Sequence, residues 1–182
     1  MKKKRGGIEY LSALMLISLS GIILLYGISV KELKLHQQIL RDGLDGACLA
    51  AALIDRNEYA STQEILIDDY YKVRSIFCET LKNNVGLNDE YEAKQESAIY
   101  DVINIEAFYV YNIKDGYLYT YTGKGEGDYE LKIDTFTGNE KTPDGTVIQS
   151  GTIYADIGVN ISSYFGVSNY VHIESSVEVV KN

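Results

Sequence analysis

The run from Tyr10 to Val30, YLSALMLISLSGIILLYGISV, contains no charged residue. As a helix at ~1.5 Å per residue it spans about 31 Å, the thickness of a hydrocarbon core, so it can cross a membrane once. Ser12, Ala13, Ser18, Ser20 and Gly21 interrupt the leucines and isoleucines, and Tyr10 and Tyr26 lie towards the two ends, where aromatic rings favour the headgroup zone. Lys2, Lys3, Lys4 and Arg5 precede the run and place the N-terminus in the cytoplasm, with the C-terminal part outside the cytoplasmic membrane. Lys31, Lys34 and Arg41 on the far side reduce that asymmetry. A cleaved secretory signal ending at Gly27-Ile28-Ser29 is the alternative. Glu9 at the mouth of the apolar run argues against it, as does the absence of proline or a turn cluster after Val30. The helical pattern continues through KELKLHQQILRDGLDGACLAAALID, so residues 10–55 are expected to form one rod about 70 Å long.

Composition narrows the remaining possibilities. The chain has 182 residues, 46% of them hydrophobic, which excludes a disordered protein, and its two cysteines exclude a disulfide scaffold. A single long apolar run excludes a polytopic membrane protein. The four leading basic residues against Glu9 give residues 1–30 a charge of +3, which leaves −12 of the total −9 for residues 31–182. So acidic an exported portion repels phosphate backbones, and no nucleic-acid partner is expected.

Leu33, Leu40, Leu44, Ala47, Cys48, Ala51 and Ile54 recur mostly three or four apart and make one helical face. Gly43, Ala47 and Ala51 form a small-xxx-small row that admits a close helix, either the chain's own second helix or another subunit. Ser61 or Thr62, with Glu64 close behind, is the expected N-cap of that second helix; Leu66, Tyr70, Val73, Phe77 and Leu81 form its apolar face and Gly86 its stop. From Ala98 the period changes to alternation. Strands are expected at about 101–112, 117–122, 129–136, 146–156 and 170–180, with 158–166 a loop or short strand, and Lys114-Asp115-Gly116 is a hairpin turn. The fold class is α+β: a basic leader (1–9), a transmembrane helix (10–30), a stalk helix and second helix forming a hairpin (31–86), a polar linker (87–97) and an antiparallel β domain (98–182). Tyrosines alternate along the strands (Tyr109/Tyr111, Tyr117/Tyr119/Tyr121), which suits cross-strand ladders or a partner surface.

Catalytic constellations are not evident, and an enzyme is not expected. His36 and His172 stand at no metal spacing from each other or from a cysteine. Gly123-Lys124-Gly125-Glu126-Gly127 lacks the Lys-Ser/Thr of a phosphate loop. In the expected hairpin Cys48 and Cys78 are mismatched by about 13 Å, beyond the ~7 Å a disulfide tolerates, so both are read as buried and unbridged. No metal and no cofactor are expected.

Arg5-Gly6-Gly7-Ile8-Glu9-Tyr10, followed by an apolar helix and then by the small-residue segment Asp42 to Ala52, resembles the start of TadE-like proteins. These are pilin-like, membrane-anchored minor components of tight-adherence (Flp-type) pilus systems, in which a basic leader ends in glycine and a Glu-Tyr or Glu-Phe pair opens the membrane helix. The resemblance covers roughly residues 5–55. It implies a minor pilin or pilus-assembly component whose partners are the lipid bilayer, other pilus or secretion-system membrane subunits, and a leader peptidase. It assigns assembly and processing roles to Gly6, Gly7, Glu9 and Tyr10. The family's processing glycine lies five residues before the glutamate; Lys4 occupies that position here, and Gly6 lies three before Glu9. A membrane-tethered extracytoplasmic binding or sensing module, outside any filament, is the alternative reading.

Overall fold

The computed structural model describes residues 5–52, 69–94, 100–123, 128–163, 166 and 168–179. The first helix, α1 (Arg5–Ala52), is continuous over 48 residues. The chain's one proline, Pro143, lies far from it, so nothing removes a hydrogen bond from its interior. From Glu9 to Ile28 every residue of α1 is exposed; beyond it Leu40, Leu44, Ala47, Cys48 and Ala51 are buried. This buried stripe is the face expected from the periodicity. Ile54 lies outside the described residues.

The second helix, α2 (Tyr70–Val85), starts on Asp69, whose carboxylate accepts from the Lys72 amide at 3.0 Å. The expected caps Ser61 and Thr62 lie outside the described residues. Gly86 closes α2 with φ 74°, and the Leu87 amide returns to the Lys82 carbonyl at 2.8 Å. Tyr70, Phe77, Leu81 and Val85 bury their side chains against the C-terminal half of α1 and the sheet. Residues 87–94, the described part of the polar segment 87–97 expected as a linker or a last solvated turn, make an ordered turn. Leu87 is buried, the Asn88 side chain accepts from the amides of Glu90 and Glu92 at 3.0 and 2.8 Å, and Leu87 bridges to Ala93. The physical reason is local: an Asx-type side chain supplies the main-chain partners that a linker would leave to water.

Five antiparallel strands follow: β1 (Tyr100–Lys114), β2 (Tyr117–Gly123), β3 (Glu130–Thr135), β4 (Thr152–Ser162) and β5 (Ser168–Glu178), in the spatial order β3-β2-β1-β4-β5. Asp115 and Gly116, at φ 52° and 79°, form the tight β1–β2 turn expected from the sequence. The fourth strand is displaced from expectation. Residues 146–151 are not strand but a covering segment that buries Ile148 and pairs Val147 with Lys141, whereas 158–162, expected as loop or short strand, complete β4. Val159 and Ile161 face the core there, and Gly158 stands where a Cβ would collide with the Tyr170 hydroxyl.

The central strands of the sheet are buried on both faces. One carries Ile103, Phe108, Val110, Ile153, Ala155, Ile157, Val159 and Ile161 against the helices. The other carries Ala107, Tyr111, Leu118 and Tyr154 beneath Ile148 and Phe136 from the β3–β4 connection. Ile103 and Phe108 share a face despite opposite parity because β1 bulges between Ile105 and Ala107, with Glu106 as the extra residue.

Candidate functional site

The largest chemical anomaly is the first half of α1. Its best window has a mean hydropathy of 2.2 and only 6% of it is buried, so this helix is long and apolar enough to span a membrane. Its hydroxyls are also matched to such an environment. Ser12, Ser18, Ser20 and Ser29 donate to the carbonyls of Glu9, Leu14, Ile17 and Leu25 at 2.8–3.1 Å. Each therefore satisfies its polar hydrogen on its own helix; Ser12, Ser18 and Ser20 do so on the exposed section, where a bilayer would offer no other partner, while Ser29 is buried. Tyr10, 82% exposed, and Tyr26, 68% exposed, mark the two ends of the bare section. Gly6 and Gly7 lie in the first turns of α1, and Glu9 is exposed immediately before Tyr10.

Gly43, Ala47 and Ala51 are taken up within the chain. A Cβ on Gly43 would stand 2.6 Å from Val85 Cγ2, and the Asn84 side chain donates to the Gly43 carbonyl at 3.2 Å; Ala47 and Ala51 are buried. The row thus lets α2 approach α1. The cysteines are both free. Cys48 is buried, and burial pushes its thiol up to about 12, which leaves it protonated and unreactive at neutral pH. Cys78, expected to be buried, is only half-buried, because it borders a groove.

That groove, of about 870 Å³, runs between α2 and the 87–94 turn and is lined by Arg74, Cys78, Glu79, Lys82, Lys94 and Asp128 among others. Arg74 is the residue that sequence reasoning missed. It is 6% exposed, lies over the Phe108 ring at 5.6 Å, donates one long hydrogen bond from its Nη1 to the Tyr70 hydroxyl at 3.4 Å, and among the described residues has no hydrogen-bond partner for Nη2. The signal was present, since Arg74 interrupts the stripe Tyr70, Phe77, Leu81 at helical spacing. Around it Tyr70 gathers Tyr71, Phe108, Tyr121 and Tyr129 at centroid distances of 4.8–6.3 Å, joining α2 to β1 and β2.

The opposite face of the sheet carries acids held by tyrosines. Tyr154 donates to Glu174 and Tyr170 to Glu106, both at 2.7 Å, and His172 Nδ1 lies 3.2 Å from Asp156 Oδ2. Burial raises the Asp156 carboxyl above the usual carboxylate range against the pull of His172, with Glu174 and Glu106 adding to the rise. These pairs tie β1, β4 and β5 together; none sets a nucleophile beside a base. Cys78 and His172 lie on opposite sides of the sheet, and among the described residues no three His, Cys, Asp or Glu side chains are placed to hold a metal ion. Comparison with protein-family models, with characterised proteins and with solved structures finds no match to this chain.

Proposed function

We propose that this chain is a non-enzymatic, single-pass, pilin-like membrane protein that serves as a minor component or assembly factor of a bacterial surface pilus. The N-terminus lies in the cytoplasm, the first half of α1 crosses the bilayer, α2 returns along α1 as a helical hairpin, and the acidic sheet domain is displayed outside. One observation carries the reading: a single unbroken helix is bare and apolar over its first half and core-forming over its second. Such a rod couples a membrane anchor rigidly to a folded domain, which a subunit extracted from the bilayer into a filament requires. Glu9 and Tyr10 sit at the mouth of the anchor, where a carboxylate is costly unless solvated or paired, so they are the assembly contact in this reading.

N-terminal sequencing of the mature chain tests it. A start at Met1 or Gly7 fits an anchored or processed pilin-like subunit, and a start at Val30 overturns the reading in favour of a secreted protein. Glu9→Ala is expected to abolish incorporation into the pilus while leaving membrane localisation intact. A variant that leaves both unchanged would favour the second reading, a tethered binding module, for which the specific observation is the groove lined by Arg74, whose Nη2 has no hydrogen-bond partner among the described residues.

A further inference from the structure

The sheet ends at β3, which is paired only to β2 among the described residues. The Phe136 amide donates to the Gly116 carbonyl at 2.9 Å. Bonded and non-bonded pairs alternate along an antiparallel ladder, so Glu130, Lys132 and Asp134 direct their main-chain groups at β2. The amides and carbonyls of Leu131, Ile133 and Thr135 therefore point at the open edge. Their side chains lie on the same face as Tyr119 and Tyr121, and Ile133 and Leu131 are 52% and 44% exposed. Lys132 and Asp134 occupy the other face, 2.7 Å apart and both solvent-accessible.

We propose that this edge is a self-association surface: a second copy of the chain adds its own β3 antiparallel across a two-fold axis at Ile133, which extends the sheet through both protomers. A lone lysine on a bare edge ordinarily discourages a foreign strand. Here Lys132 is flanked by Glu130 and Asp134, and that pattern complements its own antiparallel copy. With the axis at Ile133, Lys132 stands opposite the partner's Asp134 and Asp134 opposite the partner's Lys132. Leu131 pairs with the partner's Thr135 and Ile133 with its own counterpart, so all outward main-chain groups of β3 find partners. The charges also select the register. Centring on Lys132 puts lysine opposite lysine and Glu130 opposite the partner's Asp134, and like charges directly opposite are disfavoured. Centring on Leu131 leaves Ile133, Asp134 and Thr135 with no strand residue across from them. A one-residue slip sets the apolar face against the charged one. The surface does not depend on whether the chain enters a pilus.

Sedimentation of the full-length chain in density-matched detergent tests this. A concentration-dependent dimer is expected. Ile133→Pro removes only an outward-facing N–H and should abolish the dimer with an unchanged circular-dichroism spectrum. Lys132→Glu and Asp134→Lys should each weaken the dimer about tenfold, because each turns both cross-strand pairs repulsive. Mixing these two single variants should restore it, since each then meets its complement across the axis while the contact within each chain stays broken. A chain that is monomeric at every concentration, an oligomer that survives Ile133→Pro, or a mixture that fails to recover would each overturn the proposal.

Discussion

The two halves of α1 obey different rules within one uninterrupted helix. From Tyr10 to Ile28 the helix is uncharged around its whole circumference and exposed among the described residues, while from Leu40 to Ala52 it is amphipathic and buries a single stripe. A helix that is hydrophobic on all sides suits a membrane span or the core of a large protein, whereas a striped one needs a specific neighbour along one face. The glycines separate in the same way. Gly21 and Gly27 have nothing within 4 Å of where a Cβ would stand, but Gly43 and Gly46 meet Val85 and Asn84. Residue type alone thus does not fix a role; small residues in the first half are tolerated, and in the second half they are required.

The largest effect that follows from this contrast concerns leucine. Leu44 is fully buried and Leu16 is 66% exposed. Leu44→Ala leaves a cavity among α1, α2 and the sheet and should lower the stability of the folded domain by about 2–5 kcal/mol. Leu16→Ala should leave the domain's unfolding unchanged. Thermal unfolding of the full chain in detergent, followed by the tyrosine near-ultraviolet signal, checks both, and equal effects of the two substitutions would erase the distinction. Glycine comes next. Gly43→Ala forces a Cβ against Val85 and should cost about 1–3 kcal/mol, whereas Gly21→Ala meets open space and should cost nothing. The same unfolding measurement reads this pair.

Where sequence reasoning succeeded, the signal was local. The uncharged run, the i, i+3/i+4 stripe of α1, the Gly86 stop and the Asp115-Gly116 turn each depend on residues close together in the chain. It failed where a distant partner decides the outcome. The β1 bulge at Glu106 exists because β4 supplies one residue opposite two, which no feature of β1 by itself reveals. Val147 and Ile148 looked like the beginning of a strand because they are apolar, yet Ile148 is spent on covering the outer face of the sheet. By sequence, residues 158–166 admit a loop or a short strand; only the register with β5 shows that 158–162 complete β4 and that the missing side chain of Gly158 makes room for Tyr170. Arg74 is not part of the apolar face read from Leu66, Tyr70, Val73, Phe77 and Leu81, and only the packing of α2 on Phe108 shows that it is buried. The role proposed for Glu9, Gly6 and Gly7 comes from a short motif alone, and the fold adds beside it only the bare helix that follows.

The smallest effect lies in the outer cover of the sheet, and it contrasts a cover held by polar contacts with the apolar packing of α1. Glu140 accepts from the Thr137 amide and hydroxyl at 2.9 and 2.7 Å and from the Gly138 amide at 2.9 Å. These contacts, the Thr137 hydroxyl first among them, lower its carboxyl to about 2. The sign follows from linkage: the folded state holds the ionised form more tightly than the unfolded chain does. The contribution is therefore fully present above the ordinary carboxylate range and is lost as pH falls towards 2. Hydrogen exchange at the Thr137 and Gly138 amides should accordingly show protection beyond the intrinsic pH dependence that fades through this acid range, and Glu140→Gln should remove that dependence while the packing of Leu44 and Phe77 stays unaltered. The turn is exposed, so its loss should loosen the segment over Ile148 without unfolding the sheet. A global transition in the same range that Glu140→Gln shifts strongly would mean that the cover, and not the α1 stripe, dominates the stability of the domain.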